Sequence, residues 1–163
     1  MALSYDKNDT NSTILIGHKY TFVKPIYTFT NTRGFLRFDL SGQPFGVGDI
    51  VSVKLKIRVT SQISTDSYQL WSGSTGDNWG TALSADAVDW GSTRVSLEDT
   101  IAISGIGNYE FDIDKNNFIL TGFTHFIVRS TTENQQNYKT INIASQTHGT
   151  ASYRPSLEIV YNS

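Results

Sequence analysis

The sequence predicts an all-β antiparallel sandwich of roughly eight to ten strands. Three observations predict it. Apolar and polar residues alternate with a period of two along most of the chain, and no segment sustains a helical period. Short strand-like runs are separated by Gly-, Pro-, Asn- and Ser-rich turn signals. Charged residues make up only 17% of the chain and hydrophobic residues 38%, and Ser, Thr, Asn and Gly fill the balance, as on a sandwich with polar outer faces.

Taken in order, Met1 to Ser12 reads as a polar N-terminal arm with no strand signal, and residues 13–163 as one domain. Thr13 to Ile16 reads as a short strand. Lys19 to Phe29 is β-rich but interrupted by Pro25, which cannot donate to a ladder, so an edge strand or bulge is expected there. Gly34 to Leu40 follows, with Leu36, Phe38 and Leu40 on one face. A turn-rich loop, Ser41 to Asp49, feeds Val51 to Thr60. In that strand five apolar residues oppose five polar ones, the pattern of a strand with one wet face. Further strands are expected at Asp66–Trp71, Arg94–Leu97, Tyr109–Ile113, Thr124–Ser130, Lys139–Ala144 and Ser156–Tyr161, with short helical turns at Asp114–Leu120 and Ala82–Ala87. The expected core is Leu36, Phe38, Val53, Leu55, Ile57, Phe111, Leu157 and Ile159.

Several function classes are disfavoured by the same reading. A net charge of −2 gives no electrostatic case for nucleic acid. No run of 18 apolar residues is present to span a bilayer, so no membrane partner is expected. Cysteine is absent, which removes disulfides, thiol catalysis and thiolate metal sites. Met1 to Thr10 has neither a basic nor an apolar leader segment, so export is not expected, and the sequons at Asn8 and Asn11 carry no weight.

Two sets of residues resemble the strand signatures of DNRLRE-type modules. The first is Arg33-Gly34-Phe35-Leu36-Arg37-Phe38-Asp39-Leu40. The second is Ser145, a polar loop, then Arg154-Pro155-Ser156-Leu157-Glu158-Ile159-Val160-Tyr161. Pro44, paired tryptophans at Trp79 and Trp90, and Phe111-Asp112-Ile113 extend the likeness from Gly34 to the C-terminus. Gln146 and Asp89 depart from the family pattern, at an acidic position and at a Thr before the second Trp. The resemblance implies a jelly-roll-like form of the sandwich and a relation to one group of carbohydrate-binding modules. It brings no catalytic motif.

Chemistry-bearing residues divide into four groups. Carboxylates at Asp86 and Asp89, or Asp112 and Asp114, are the available acid–base pairs, but neighbours on β-elements are ordinarily solvated turn residues, and no catalytic residue is expected. His18, His125 and His148 lack metal-ligand spacing and are expected to be surface or sheet residues. Trp71, Trp79 and Trp90, near Tyr68, lie within one stretch. Trp79, Asp77, Asn78 and Trp71 form a candidate ligand site, with rings to stack on sugars and polar groups to hold hydroxyls. The loop Ser72 to Gly80 offers oxygens for calcium but no calcium-loop pattern, so no cofactor is expected. Lys54, Lys56 and Arg58 form a basic stripe that either solvates its face or meets an acidic partner.

A module of a kind usually carried on extracellular proteins, here alone and with no export expected, suggests a non-enzymatic structural protein of a virus particle, a phage capsid decoration or head-fibre component. It would be made in the host cytoplasm, be oligomeric on the particle, and have capsid or other virion proteins as partners. The alternative is a carbohydrate-binding module of a secreted protein, with surface glycans as ligands.

Overall fold

A computed structural model describes residues 11–24, 26–73, 94–117, 120, 122–133 and 135–162. The chain folds into two antiparallel sheets packed face to face. Ten strands lie among the described residues: β1 (Thr13–Val23), β2 (Ile26–Thr32), β3 (Gly34–Asp39), β4 (Ile50–Ile63), β5 (Asp66–Gly73), β6 (Arg94–Ile103), β7 (Gly107–Ile113), β8 (Phe123–Ser130), β9 (Lys139–Ala144) and β10 (Ser156–Tyr161). Among the described residues, helix is confined to single 3-10 turns at Val47–Asp49, Lys115–Asn117 and Ala151–Tyr153.

One sheet runs β10-β4-β9-β1-β2, with β7 also on β4; the other runs β3-β8-β5-β6. β4 pairs with β10 over Ile50–Lys56, with β7 over Val53–Val59 and with β9 from Val59 onward. Because a strand has two edges, β7 takes one, and β10 and β9 follow each other along the second. Without β2 and β10, the sheets read β1-β9-β4-β7 and β3-β8-β5-β6. The chain passes from one sheet to the other between β2 and β3, β3 and β4, β4 and β5, β6 and β7, β7 and β8, and β8 and β9. This is the jelly-roll order, two interleaved Greek keys.

The alternation of β4 explains the core. Val53, Leu55, Ile57 and Val59 are buried, while Lys54, Lys56 and Arg58 point outward. Leu36, Val53, Leu55, Ile57 and Phe111 lie in the core, joined by Ile16, Tyr68, Leu70, Phe126, Val128, Ile141 and Ile143. Phe38, Leu157 and Ile159, expected to be buried, are half-buried and pack on the core from its rim. Their strands, β3 and β10, are end strands of their sheets, and a neighbour covers them on one side alone.

Two boundaries differ from the sequence reading. Thr13–Ile16 and Lys19–Val23 form one continuous strand, β1, and the rest of the β-rich run, from Ile26, is its hairpin partner β2, with Val23 paired to Ile26. Pro25 lies outside the described residues. β2 does lie at a sheet edge. β6 runs on to Ile103, well past Leu97.

Candidate functional site

The basic stripe lies on the outer face of β4, and the register decides its fate. Lys54 is opposite Asp112 and Glu158, Lys56 opposite Glu110 and Ser156, and Arg58 opposite Asn108. Lys54 Nζ reaches Glu110 Oε2 at 3.1 Å and Asp112 Oδ1 at 3.7 Å. Lys56 Nζ reaches Glu158 Oε2 at 2.5 Å and Glu110 Oε1 at 3.6 Å. Two of the three cations are therefore neutralised in a cross-strand ladder.

Arg58 ends the ladder differently. It has an amide opposite instead of a carboxylate, and its Nη1 donates to Asn108 Oδ1 at 3.3 Å. Its guanidinium carbon sits 4.9 Å from the centroid of the Tyr153 ring, a cation–π contact. No carboxylate among the described residues lies within ion-pair reach of it. Its Nε is sealed from solvent with no hydrogen-bond partner.

His148 builds the wall beside Arg58. Its Nδ1 accepts the Thr150 N–H at 3.1 Å, and its carbonyl accepts Arg154 Nε at 2.9 Å. Its ring lies 5.4 Å from Tyr153. Tyr153 is held between His148 and Arg58, and Arg154 is fixed next to it. The result is a shallow groove of about 230 Å³ lined by Arg58, Asn108, Glu110, Ser152, Tyr153 and Arg154, among others. That volume is below the roughly 300–1,000 Å³ of sites that enclose whole small molecules. It suits one anionic side chain or head group. The base of this loop is tied to the chain near its start: Ser145 Oγ donates to the Asn11 carbonyl at 2.6 Å, and Ser145 N–H to Ser12 O at 2.9 Å.

The ladder makes a pH prediction. The Lys54 hydrogen bond, then its charge and that of Lys56, hold the Glu110 carboxyl below its ordinary 4.5. The Glu110 hydrogen bond and charge, with Asp112, raise Lys54 above its ordinary 10.5. A lowered carboxyl stabilises the fold above its unfolded value and loses that contribution as pH falls through the folded value. A raised lysine contributes below 10.5 and loses its share as pH climbs through its folded value. Both groups are exposed, so the effect is small and salt-sensitive. Urea unfolding midpoints should fall less steeply with acid in Glu110→Gln than in the parent. Coincident acid limbs would show that the ladder is energetically silent.

A second polar cluster joins the two sheets from inside. Ser130 Oγ on β8 donates to Asp66 Oδ2 on β5 at 2.5 Å, and Thr132 Oγ1 donates to the same oxygen at 2.8 Å. Lys139 Nζ on β9 lies 3.4 Å from Asp66 Oδ1. His18 on β1 places Nδ1 3.4 Å from Ser130 Oγ and bonds Asn137 Oδ1 through Nε2. Serine, histidine and aspartate are together, but not as a relay. Ser130 gives its proton directly to Asp66, and it is wholly buried where no substrate reaches it. The cluster is a clasp: β1 and β9 belong to one sheet, β5 and β8 to the other. A second tie is Arg33, which grips Glu133 with two parallel bonds at 2.9 and 2.7 Å, both side chains nearly buried.

The other sequence-derived residues fall as follows. Trp71 lies on the outer face of β5, half-buried, and its Nε1–H donates to Gln69 Oε1 at 3.1 Å. The register lines it up with Ile127, which is opposite Phe35, and with Leu97, so an apolar row crosses that face. Asp77, Asn78, Trp79, Asp86, Asp89, Trp90, the Ala82–Ala87 turn and residues 1–10 of the arm lie outside the described residues. Asp112 pairs with Lys54, and Asp114 accepts from Asn116 in a local turn, so the two do not form an acid–base pair. His18 and His125 are sheet residues, but buried ones; His148 is in the groove loop. Among the described residues no three His, Asp or Glu side chains gather as a metal cage.

Neither a family model nor a curated protein matches the chain.

Proposed function

We propose that this chain is a non-enzymatic structural protein of a virus particle, a capsid decoration or head-fibre component that docks an acidic side chain of a neighbouring protein in the Arg58–Arg154 groove. The observation that carries the reading is Arg58. A guanidinium pre-set by Tyr153 and Asn108, with no carboxylate among the described residues to neutralise it, is a ready fork for an incoming carboxylate. The groove's size favours a side chain over a whole ligand. Jelly rolls serve in many capsids and lectins, and that support is analogy of fold alone.

The test is co-sedimentation with capsids assembled from the head protein encoded nearest this gene. Stoichiometric binding should fall roughly tenfold or more when Arg58→Glu or Arg154→Glu reverses a docking charge. Absence of binding to any capsid, together with saturable binding on a glycan array, would overturn the reading in favour of a second one. That second reading, a carbohydrate-binding module of a secreted protein, is favoured by the outward position of Trp71 on its apolar row. It expects glycan binding that Trp71→Ala or Trp79→Ala abolishes.

A further inference from the structure

The β1–β2 hairpin overruns the sandwich. β9 pairs with β1 from Thr13 to His18 and no further. Beyond that point the two arms pair with each other alone, from Lys19 opposite Thr30 to Val23 opposite Ile26. At about 3.3 Å per residue the finger extends roughly 15 Å past the last β9 pair. Its aromatic face continues the inner face of β1: Ile14, Ile16 and His18 lead to Tyr20 and Phe22, with Phe29 opposite Tyr20.

Exposure of the apolar residues rises toward the tip. Tyr20 is 38% exposed, Phe22 49%, Ile26 64% and Val23 70%. Such a cluster on a protruding element marks a contact surface. Charge narrows the partner. From Thr10 to Phe38 the sequence contains Lys19, Lys24, Arg33 and Arg37 and no acidic residue, although the whole chain is net negative. Arg33 is committed to Glu133, which leaves Lys19 and Lys24 as the cations of the finger.

We infer that the hairpin is a membrane-contacting finger that dips its tip into the interface of an anionic bilayer. Phe22, Val23 and Ile26 enter the boundary between head groups and acyl chains, and Lys19 and Lys24 reach lipid phosphates, their stems lying along the apolar part. An anionic bilayer satisfies both halves of the finger at once, the apolar tip and its unbalanced positive charge. A second copy meeting hairpin to hairpin would bring the same cations together. No helix among the described residues is long and apolar enough to cross a membrane, and an interfacial finger needs none. The inference does not depend on the groove or on the proposed function.

The experiment is sedimentation of the full chain with vesicles of phosphatidylcholine alone and of phosphatidylcholine with phosphatidylserine. Binding is expected to the second and to be weakened by salt. Val23→Ser with Ile26→Ser should weaken it roughly tenfold or more, and so should Lys19→Glu with Lys24→Glu. All four residues are exposed, and unchanged urea midpoints would show that the variants fold. Three outcomes would overturn the inference: no binding to the anionic vesicles, binding that both double variants retain, or concentration-dependent self-association without lipid that the serine variant abolishes. The last would assign the finger to a second copy.

Discussion

Gly17→Ala is expected to destabilise the protein by about 2–6 kcal/mol, or to prevent folding, through backbone strain and forced separation acting together. Gly17 has φ +136°, a region L side chains rarely adopt. A Cβ built there would lie 2.1 Å from the Lys139 carbonyl oxygen and 2.7 Å from Thr140 Cα, both main-chain atoms of β9. No side chain can move aside to relieve this, so β1 and β9 would have to part where His18 and Lys139 enter the clasp. Gly105→Ala is the control, because a Cβ there meets nothing within 4 Å. Urea unfolding followed by circular dichroism would measure both. Equal midpoints for Gly17→Ala and the parent would refute the close approach.

Leu55→Ala should cost about 2–5 kcal/mol, the range for emptying a packed leucine site. Leu55 is fully buried at the centre of β4, opposite Phe111 on β7 and Leu157 on β10. Its neighbours belong to regular strands with little room to collapse, which places the expectation in the upper half of the range. A loss below about 1 kcal/mol would mean that the surrounding sheet relaxes into the gap.

How far the chain could be read without coordinates depended on sequence distance. The faces of β4 were legible because alternation is local, and Lys54, Lys56 and Arg58 emerge outward as expected. The different fates of those three were not, because they hang on which β7 and β10 residues lie opposite, about fifty and one hundred positions away. The burial of His18 was not legible: it shares the inner face with Ile14 and Ile16, but Leu15 between them is apolar too, so the sequence shows no alternation there. Asp66, Ser130, Thr132 and Lys139 carried no shared spacing, since the clasp draws them from different strands of both sheets. Pro25 was read as an interruption within one run because the residues on both sides are equally β-prone. Only the pairing of Val23 with Ile26 turns that run into a hairpin.

The placement of the last strands has a consequence for how the chain is made. β1 waits for β9, and the first half of β4 waits for β10, before their edges are closed. A ribosome delivering the chain from its N-terminus would release β1 to β4 long before either partner emerges. Through most of synthesis the apolar face of β4 stands uncovered, with open ladders able to pair with other nascent chains. Cooperative closure comes only with the final stretch, so yield in a cell should respond to translation speed and chaperone supply more than the stability of the finished sandwich would suggest.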